Sequence, residues 1–215
     1  MKKDKDIILG NFIWRFAERC GAQLVTAIVT LLLARILMPE DYGKTALVAV
    51  FINILQVFID SGLGTALIQK KDADDLDFSS VFYFNFAVCL VLYAGMFIAA
   101  PYIATFYKDL SLTPVVRVAS LTLVFSGVKG IQQAYVSRHM LFKRFFFATL
   151  GGTLFSAFLG LGMAYAGFGV WALVAQQLSN TAIDTLILWL TVHWRPKAVF
   201  SWQRLKGLLS YGWRL

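Results

Sequence analysis

The sequence predicts an all-α protein, a polytopic membrane helix bundle with six transmembrane helices. Hydrophobic residues make up 59% of the 215 residues and charged residues only 15%, which is too apolar for a soluble domain of this length. Apolar stretches of about 20 residues, the length that crosses a bilayer core, recur along the chain. Lys and Arg lie mainly at the ends of these stretches, as membrane topology requires, so the net charge of +8 does not predict a nucleic-acid partner.

The six predicted spans follow from these apolar stretches. They cover residues 16–37, 45–69, 78–107, 113–137, 145–166 and 170–192. The last two are separated by Ala166-Gly167-Phe168-Gly169, because the uncharged run around this turn is too long for one span and glycine pairs favour tight turns. Small residues on the fifth span are expected to allow close helix packing, as is common in lipid: Gly151, Gly152, Ser156 and Gly160.

The chain divides into two parts. Residues 1–194 are predicted to form the six-helix lobe, and residues 195–215 a basic amphipathic connector. In the connector, apolar residues at 199, 202, 205, 208 and 209 share one helical face while Arg204 and Lys206 point away, a pattern typical of a helix on an anionic membrane surface. Most of the 20 Lys and Arg residues fall on one side if the N-terminus is cytoplasmic, so we expect that orientation.

The second span carries a polar face. Asn53, Gln56 and Asp60 are spaced three and four residues apart and therefore lie on one side of a helix. An aspartate within a membrane costs about 2.5–3.5 kcal/mol on the insertion scale, so it is normally hidden in a bundle or cavity. We therefore predict that this face lines a polar cavity.

Three further spans carry polar stripes. The first span places Arg15, Arg19, Gln23 and Thr26 on one stripe, with Glu18 beside it. The fourth and sixth spans carry Lys129 and Asp184 on theirs. Stripes of this kind either bind neighbouring helices together or line a water-filled cavity. We assign the cavity surface to Arg15, Arg19, Gln23, Thr26, Asn53, Gln56 and Asp60, and a cytoplasmic charge layer or gate to Glu18, Lys129 and Asp184.

The charges of this layer allow two interpretations. In the first they pair internally, for example Lys129 with Asp184 and Arg19 with Asp60, and act as a gate or clamp. In the second, Arg15 and Arg19 remain free to bind an anionic headgroup, because the planar guanidinium binds phosphate oxygens in pairs. The sequence shows no metal-ligand spacing or catalytic motif, so we expect no cofactor. Coupling of transport to H⁺ or Na⁺ stays open.

The order of several segments resembles Wzx-type oligosaccharide flippases, in particular their exopolysaccharide branch. The segments that carry the likeness are residues 34–43 (ARILMPEDYG), 60–69 (DSGLGTALIQ), 72–85 (DADDLDFSSVFYFN) and 209–213 (LSYGW). The resemblance implies one lobe of a two-lobe flippase of the multidrug/oligosaccharidyl-lipid/polysaccharide superfamily. A second six-helix lobe is then an expected partner that this sequence does not supply.

The same resemblance implies a function and a place. The expected substrate is an undecaprenyl-diphosphate-linked oligosaccharide, moved by alternating access across a bacterial cytoplasmic membrane for polysaccharide biosynthesis. Membrane lipids are the other expected partners. Two alternatives stay open: a cation-coupled multidrug exporter of the same superfamily, with Asp60 or Asp184 as the ion site, and, more remotely, a membrane enzyme that acts on polyprenyl phosphates.

Overall fold

The computed structural model describes the backbone of residues 2–59, 62–70 and 72–212, with all side chains in these ranges except those of residues 2–15, 17, 18, 142, 211 and 212. This part of the chain is helical and contains no strand, which confirms the predicted class. The helices are α1 (Lys2–Ile36), α2 (Pro39–Ile59), α3 (Leu63–Gln69), α4 (Asp75–Phe106), α5 (Leu112–Ala119), α6 (Leu121–Arg138), α7 (Phe142–Tyr165), α8 (Val170–Thr191) and α9 (Trp202–Gly212).

Five stretches of the described residues are long and apolar enough to cross a membrane. The sixth predicted span coincides with α8, which has the length, at 22 residues, but not the apolarity. Its Gln, Asn and Asp side chains lower its hydropathy, so its place in the bilayer depends on its neighbours. The five stretches are Arg19–Ile36, Pro39–Gln69, Asp75–Phe106, Leu112–Arg138 and Lys143–Tyr165.

Two predicted spans are broken into two helices. The second separates into α2 and α3 beside Gly62, whose φ of 74° is left-handed, a conformation that glycine adopts at little cost. Its first helix also begins earlier than predicted, at Pro39, because proline suits the first turn of a helix. The fourth separates into α5 and α6 at Ser120. The first predicted span is longer than expected, since α1 begins at Lys2.

Tight turns and helix caps fix the two ends of the bundle. At the end we call the turn end, α7 and α8 are joined through Gly167 and Gly169, both with positive φ, as the sequence predicts. At the opposite end, which we call the connector end, α4 begins with a capping box in which Asp74 and Asp77 each accept the other's backbone N–H. Such a cap satisfies donors that the first helical turn leaves open.

The core consists of three apolar clusters. One at the connector end joins α3, α4, α6, α7, α8 and α9, a second joins α2, α4, α5, α6 and α8, and a third holds α1 against α7 and α8. Small residues bring α7 and α8 together: a Cβ on Gly152 would lie 3.0 Å from the Asn180 carbonyl oxygen, and one on Gly160 would lie 2.9 Å from the Gln176 Cβ. Glycine therefore acts on the fifth span as predicted.

Much apolar surface remains outside these clusters. Large side chains on α1, α2 and α4 are more than half exposed, among them Leu31, Val57, Ile98 and Tyr102. Soluble proteins rarely expose apolar area on this scale. The surface is suited to lipid or to another apolar bundle.

Candidate functional site

The polar stripes of α6 and α8 meet in one ion pair. The Lys129 Nζ lies 2.7 Å from the Asp184 Oδ2, so the predicted pairing is present. Asp184 is buried, at 4% exposed, and its other oxygen, Oδ1, has no hydrogen-bond partner among the described residues. A carboxylate in this position depends on its lysine, because a buried charge without a partner is costly.

A polar groove lies between α1, α7 and α8, and we call it the α1 groove. Its narrow part has a volume of about 210 Å³. The residues that line it are mainly hydroxyl and amide side chains: Thr26, Thr30, Thr153, Ser156, Gln176, Gln177 and Asn180, with Val29 and Ala157. Such side chains both donate and accept hydrogen bonds, so this wall can exchange bonds with a hydroxylated molecule.

The α1 groove widens towards the connector end. There Arg19, Gln23 and Thr149 line an open volume of about 530 Å³. The Arg19 and Gln23 side chains are exposed, and Arg19 forms no ion pair within the described part of the chain. Gln23 is about one helical turn from Thr26, and Thr149 is one turn from Thr153, so the two volumes are adjacent and the described members of the first stripe line both of them.

The polar surface continues from the α1 groove onto α6 and α3. Asn180 is one helical turn from Asp184 on α8, and Lys129, its partner, is one turn from Gln133 on α6. Gln133 and Thr65 then line a second pocket, of about 320 Å³, between α3 and α6. The ion pair thus lies between the two polar cavities, one helical turn from a lining residue of each.

The remaining predicted residues divide into two groups. Asn53 is exposed and Gln56 half-buried on α2, and neither is among the residues that line the α1 groove. The structure therefore does not bring the second stripe together with the first in that groove. Asp60 and the side chains of Arg15 and Glu18 lie outside the described residues, so the predictions made for them stay predictions.

An acidic cluster at the start of α4 is a feature that the sequence reasoning missed. The Lys70 Nζ lies 2.6 Å from the Asp77 Oδ2, and Asp77 is fully buried. The Arg138 guanidinium donates to the carbonyls of Leu67 and Lys70 at the end of α3. Cations are favourable at a helix C-terminus, so these contacts fix the short α3 against α4 and α6.

The same cluster binds the connector, and we call the combined contacts the connector clasp. Lys197 pairs with Asp75 at 2.6 Å and Arg204 with Asp74 at 2.6 Å, while the Trp194 indole donates to Asp75 at 3.1 Å. The Asp77 backbone N–H, and secondly Arg204, hold the pKa of Asp74 below its ordinary value. The sequence does contain a run of Asp residues at the start of α4 and a basic connector near its end, but no local pattern indicates that these two distant segments pair.

The amphipathic connector also lies differently from the expectation. Leu205 and Leu208 are buried and join the core cluster at the connector end, packed against α3 and α4. Val199 and Trp202 remain exposed. The apolar face is thus divided between the protein and its surroundings, so lipid contact is left to its exposed part and stays a prediction.

Apolar helices around a polar groove, with a buried ion pair beside it, define a polytopic membrane protein. Comparison with known proteins gives the family. The model of the polysaccharide biosynthesis protein family matches residues 32–215, and the chain belongs to that family. The resemblance to polysaccharide flippases is thereby confirmed.

Three relatives extend this result. The chain is 25% identical over 201 residues to the succinoglycan biosynthesis transport protein ExoT of Rhizobium meliloti, covering 94% of this chain and 41% of the relative. It is 29% identical over 164 residues to the teichuronic acid biosynthesis protein TuaB of Bacillus subtilis, covering 73% and 33%. It is 24% identical over 160 residues to the lipopolysaccharide biosynthesis protein WzxC of Escherichia coli, covering 72% and 32%.

The chain matches only part of the length of each relative. The chain spans between 32% and 41% of the length of these relatives. No solved structure matches it significantly. The family assignment therefore concerns residues 32–215 of this chain.

Proposed function

We propose that this chain is the N-terminal lobe of a flippase that moves undecaprenyl-diphosphate-linked oligosaccharide repeat units across the bacterial cytoplasmic membrane for polysaccharide biosynthesis. The observation that carries the proposal is the α1 groove. It combines an amide- and hydroxyl-lined wall with an exposed guanidinium that has no ion-pair partner among the described residues, on a bundle whose outer surface is apolar. The protein acts as a transporter and not as an enzyme.

The chemistry of the groove fits such a substrate. Sugar hydroxyls exchange hydrogen bonds with Gln176, Gln177 and Asn180, while Arg19 binds the diphosphate at the wider end with its planar fork. The exposed apolar residues of α1, such as Leu24 and Ile28, leave the polyprenyl tail in contact with lipid. The headgroup then crosses along a polar wall and avoids the hydrocarbon, where unsatisfied polar groups cost several kcal/mol each.

The Lys129–Asp184 pair acts as the gate of this lobe. It lies between the two polar cavities, and the Asp184 Oδ1, which has no hydrogen-bond partner among the described residues, is the natural point for H⁺ or Na⁺ coupling. A second six-helix lobe supplies the facing wall, and alternating access follows from rocking of one lobe against the other. The N-terminus lies in the cytoplasm, as the distribution of basic residues favours.

A leaflet-resolved assay of lipid-linked glycan in cells, made with the complete protein, tests the proposal. Arg19→Ala should reduce outward transfer about tenfold or more, since a lost charge-assisted hydrogen bond costs about 1.5–3 kcal/mol. Gln177→Ala should reduce it about threefold or more, since a lost neutral hydrogen bond costs about 0.5–1.5 kcal/mol. Arg35→Ala is the matched control, because Arg35 is exposed in the last turn of α1. Normal transfer in the Arg19 and Gln177 variants, at normal abundance, would exclude the α1 groove as the substrate path.

A further inference from the structure

A further pocket, separate from the two polar cavities, lies on the outer face of the bundle, between α4 and α5, near the turn end. Its volume is about 320 Å³. The residues that matter to its chemistry are Tyr93, Phe97, Thr113, Arg117, Val118 and Leu121. None of them belongs to the α1 groove or to the ion pair, so this pocket has no part in the function proposed above.

Two ladders of residues one turn apart face each other across the pocket. Tyr93 and Phe97 lie on α4, and Thr113, Arg117 and Leu121 lie on α5 and the start of α6, each ladder with steps of one helical turn. The two helices run in opposite directions, since α4 ends and α5 begins at the turn end. The polar Thr113 and Arg117 therefore lie at the outer end of the pocket, and Tyr93 and Leu121 lie deeper.

Arg117 is held in place but not neutralised. Its guanidinium lies 4.1 Å from the centre of the Phe97 ring, and its Nε donates to the Phe97 carbonyl at 3.4 Å. No carboxylate within the described ranges pairs with it. By contrast, Lys44 at the same end is paired with Glu40 and Asp109. The terminal nitrogens of Arg117 remain available, and in this fork geometry they match the oxygens of a phosphate.

Arg117 lies close to the boundary between the hydrocarbon core and the headgroups. The span Leu112–Arg138 has 27 residues, or about 40 Å at 1.5 Å per residue, against a hydrocarbon core of about 30 Å. A centred span leaves about 5 Å at each end among the headgroups. Arg117 begins about 7.5 Å from the start of the span, or about 2.5 Å inside this boundary, so a phosphate at the boundary lies close to the guanidinium held at Phe97.

The pocket is open to lipid on its outer side. Phe97, which lines the pocket, is 41% exposed, and Arg117, Val118 and Leu121 are half-buried. A lipid chain can therefore enter the deep, apolar part of the pocket directly from the bilayer, while the headgroup stays at the polar end. Charge and polarity along the pocket follow the order found along a phospholipid.

We propose that this pocket binds one anionic glycerophospholipid of the surrounding bilayer. Arg117 and the Thr113 hydroxyl bind the phosphate, and an acyl chain lies along Tyr93 and Leu121. The occupant is a structural lipid and not the carrier-linked substrate, because the pocket faces away from the α1 groove residues and contains no amide side chain for sugar hydroxyls.

Native mass spectrometry of the purified full chain, titrated with phosphatidylglycerol or phosphatidylcholine, tests the proposal. The unmodified protein should retain one phosphatidylglycerol at concentrations that leave phosphatidylcholine unbound. Arg117→Gln should weaken this binding about tenfold or more, and Thr113→Val about threefold, as expected for a charged and a neutral hydrogen bond. Arg35→Gln, the same charge change on an exposed residue at the turn end, should leave the binding unchanged.

Three results would overturn the proposal. The first is unchanged phosphatidylglycerol binding by Arg117→Gln, and the second is an equal loss in Arg35→Gln, which would mean attraction to overall charge. The third is displacement of phosphatidylglycerol by an equimolar amount of undecaprenyl phosphate, which would make the pocket a carrier-lipid site. If Arg117→Gln does not fold, as judged by thermal unfolding without lipid, unchanged binding by Thr113→Val rejects the proposal.

Discussion

Replacing Lys129 with methionine should destabilise the protein more than replacing Asp184 with asparagine. Lys129→Met leaves the Asp184 carboxylate 4% exposed with neither oxygen bonded, and removing one partner of a buried pair costs about 3–5 kcal/mol. Asp184→Asn leaves Lys129, whose side chain is 22% exposed and so rehydrates in part, at a cost of about 1–2 kcal/mol. For a chain of this size the midpoints of thermal unfolding should fall by about 10 °C and about 5 °C.

Thermal unfolding of the purified variants in detergent, followed by intrinsic fluorescence, measures this difference. Lys206→Met is the control, because Lys206 is exposed on α9 and should change the midpoint little. The exchange of both residues, Lys129→Asp with Asp184→Lys, should recover part of the loss. Equal midpoints for Lys129→Met and Lys206→Met would refute the reasoning, as would an exchange variant less stable than either single variant.

Three further predictions concern helix packing and the connector end. Gly152→Ala should lower the free energy of unfolding by about 1–3 kcal/mol, because the added Cβ would lie 3.0 Å from a backbone oxygen of α8. Gly162→Ala is the control in the same unfolding assay and should be neutral or stabilising, because its added Cβ would meet no atom within 4 Å. Arg138→Gln removes hydrogen bonds to the last carbonyls of α3 and should speed amide exchange there about tenfold; unchanged exchange would contradict the capping role. The depressed pKa of Asp74 implies that the connector clasp keeps its stability above pH 3.8, the ordinary value, and loses it as the pH falls through the lower folded value. In an acid titration followed by tryptophan fluorescence, Arg204→Gln should therefore release the connector at a higher pH than the unmodified protein, and an unshifted transition would count against the Arg204 contribution.

The features that the sequence predicted are those encoded in one helix or one turn. Hydropathy located the spans, the two glycines located the turn between α7 and α8, and helical spacing placed Lys129 and Asp184 on faces that could meet. The sequence did not predict the helix break beside Gly62, because the apolar run continues across it. The left-handed backbone conformation of Gly62 does not change the hydropathy profile. The sixth span was predicted to be more apolar than α8 is, because its Gln, Asn and Asp residues were interpreted as a cavity-facing stripe. Their unfavourable free energy of insertion into the membrane was not considered.

The features that the sequence could not predict depend on how helices rotate against each other. Asn53 and Gln56 share one face of α2, as their spacing predicts, but spacing does not indicate which cavity that face lines. The Lys197–Asp75 contact joins residues 122 positions apart, and many acidic and basic residues at the connector end could have paired. The pocket around Arg117 likewise requires the packing of α4 against α5, which no local pattern contains.

The polar composition of α8 has a consequence for how the protein is made. A helix with Gln176, Gln177, Asn180 and Asp184 at its centre is a poor candidate for independent insertion, because each such residue adds to the cost of leaving the translocon. The preceding α7 is apolar enough to insert, offers glycines against which α8 packs closely, and is joined to it by a turn of a few residues. The two helices should therefore enter the bilayer as one hairpin, so that the surface that receives α8 is synthesised immediately before the helix that needs it.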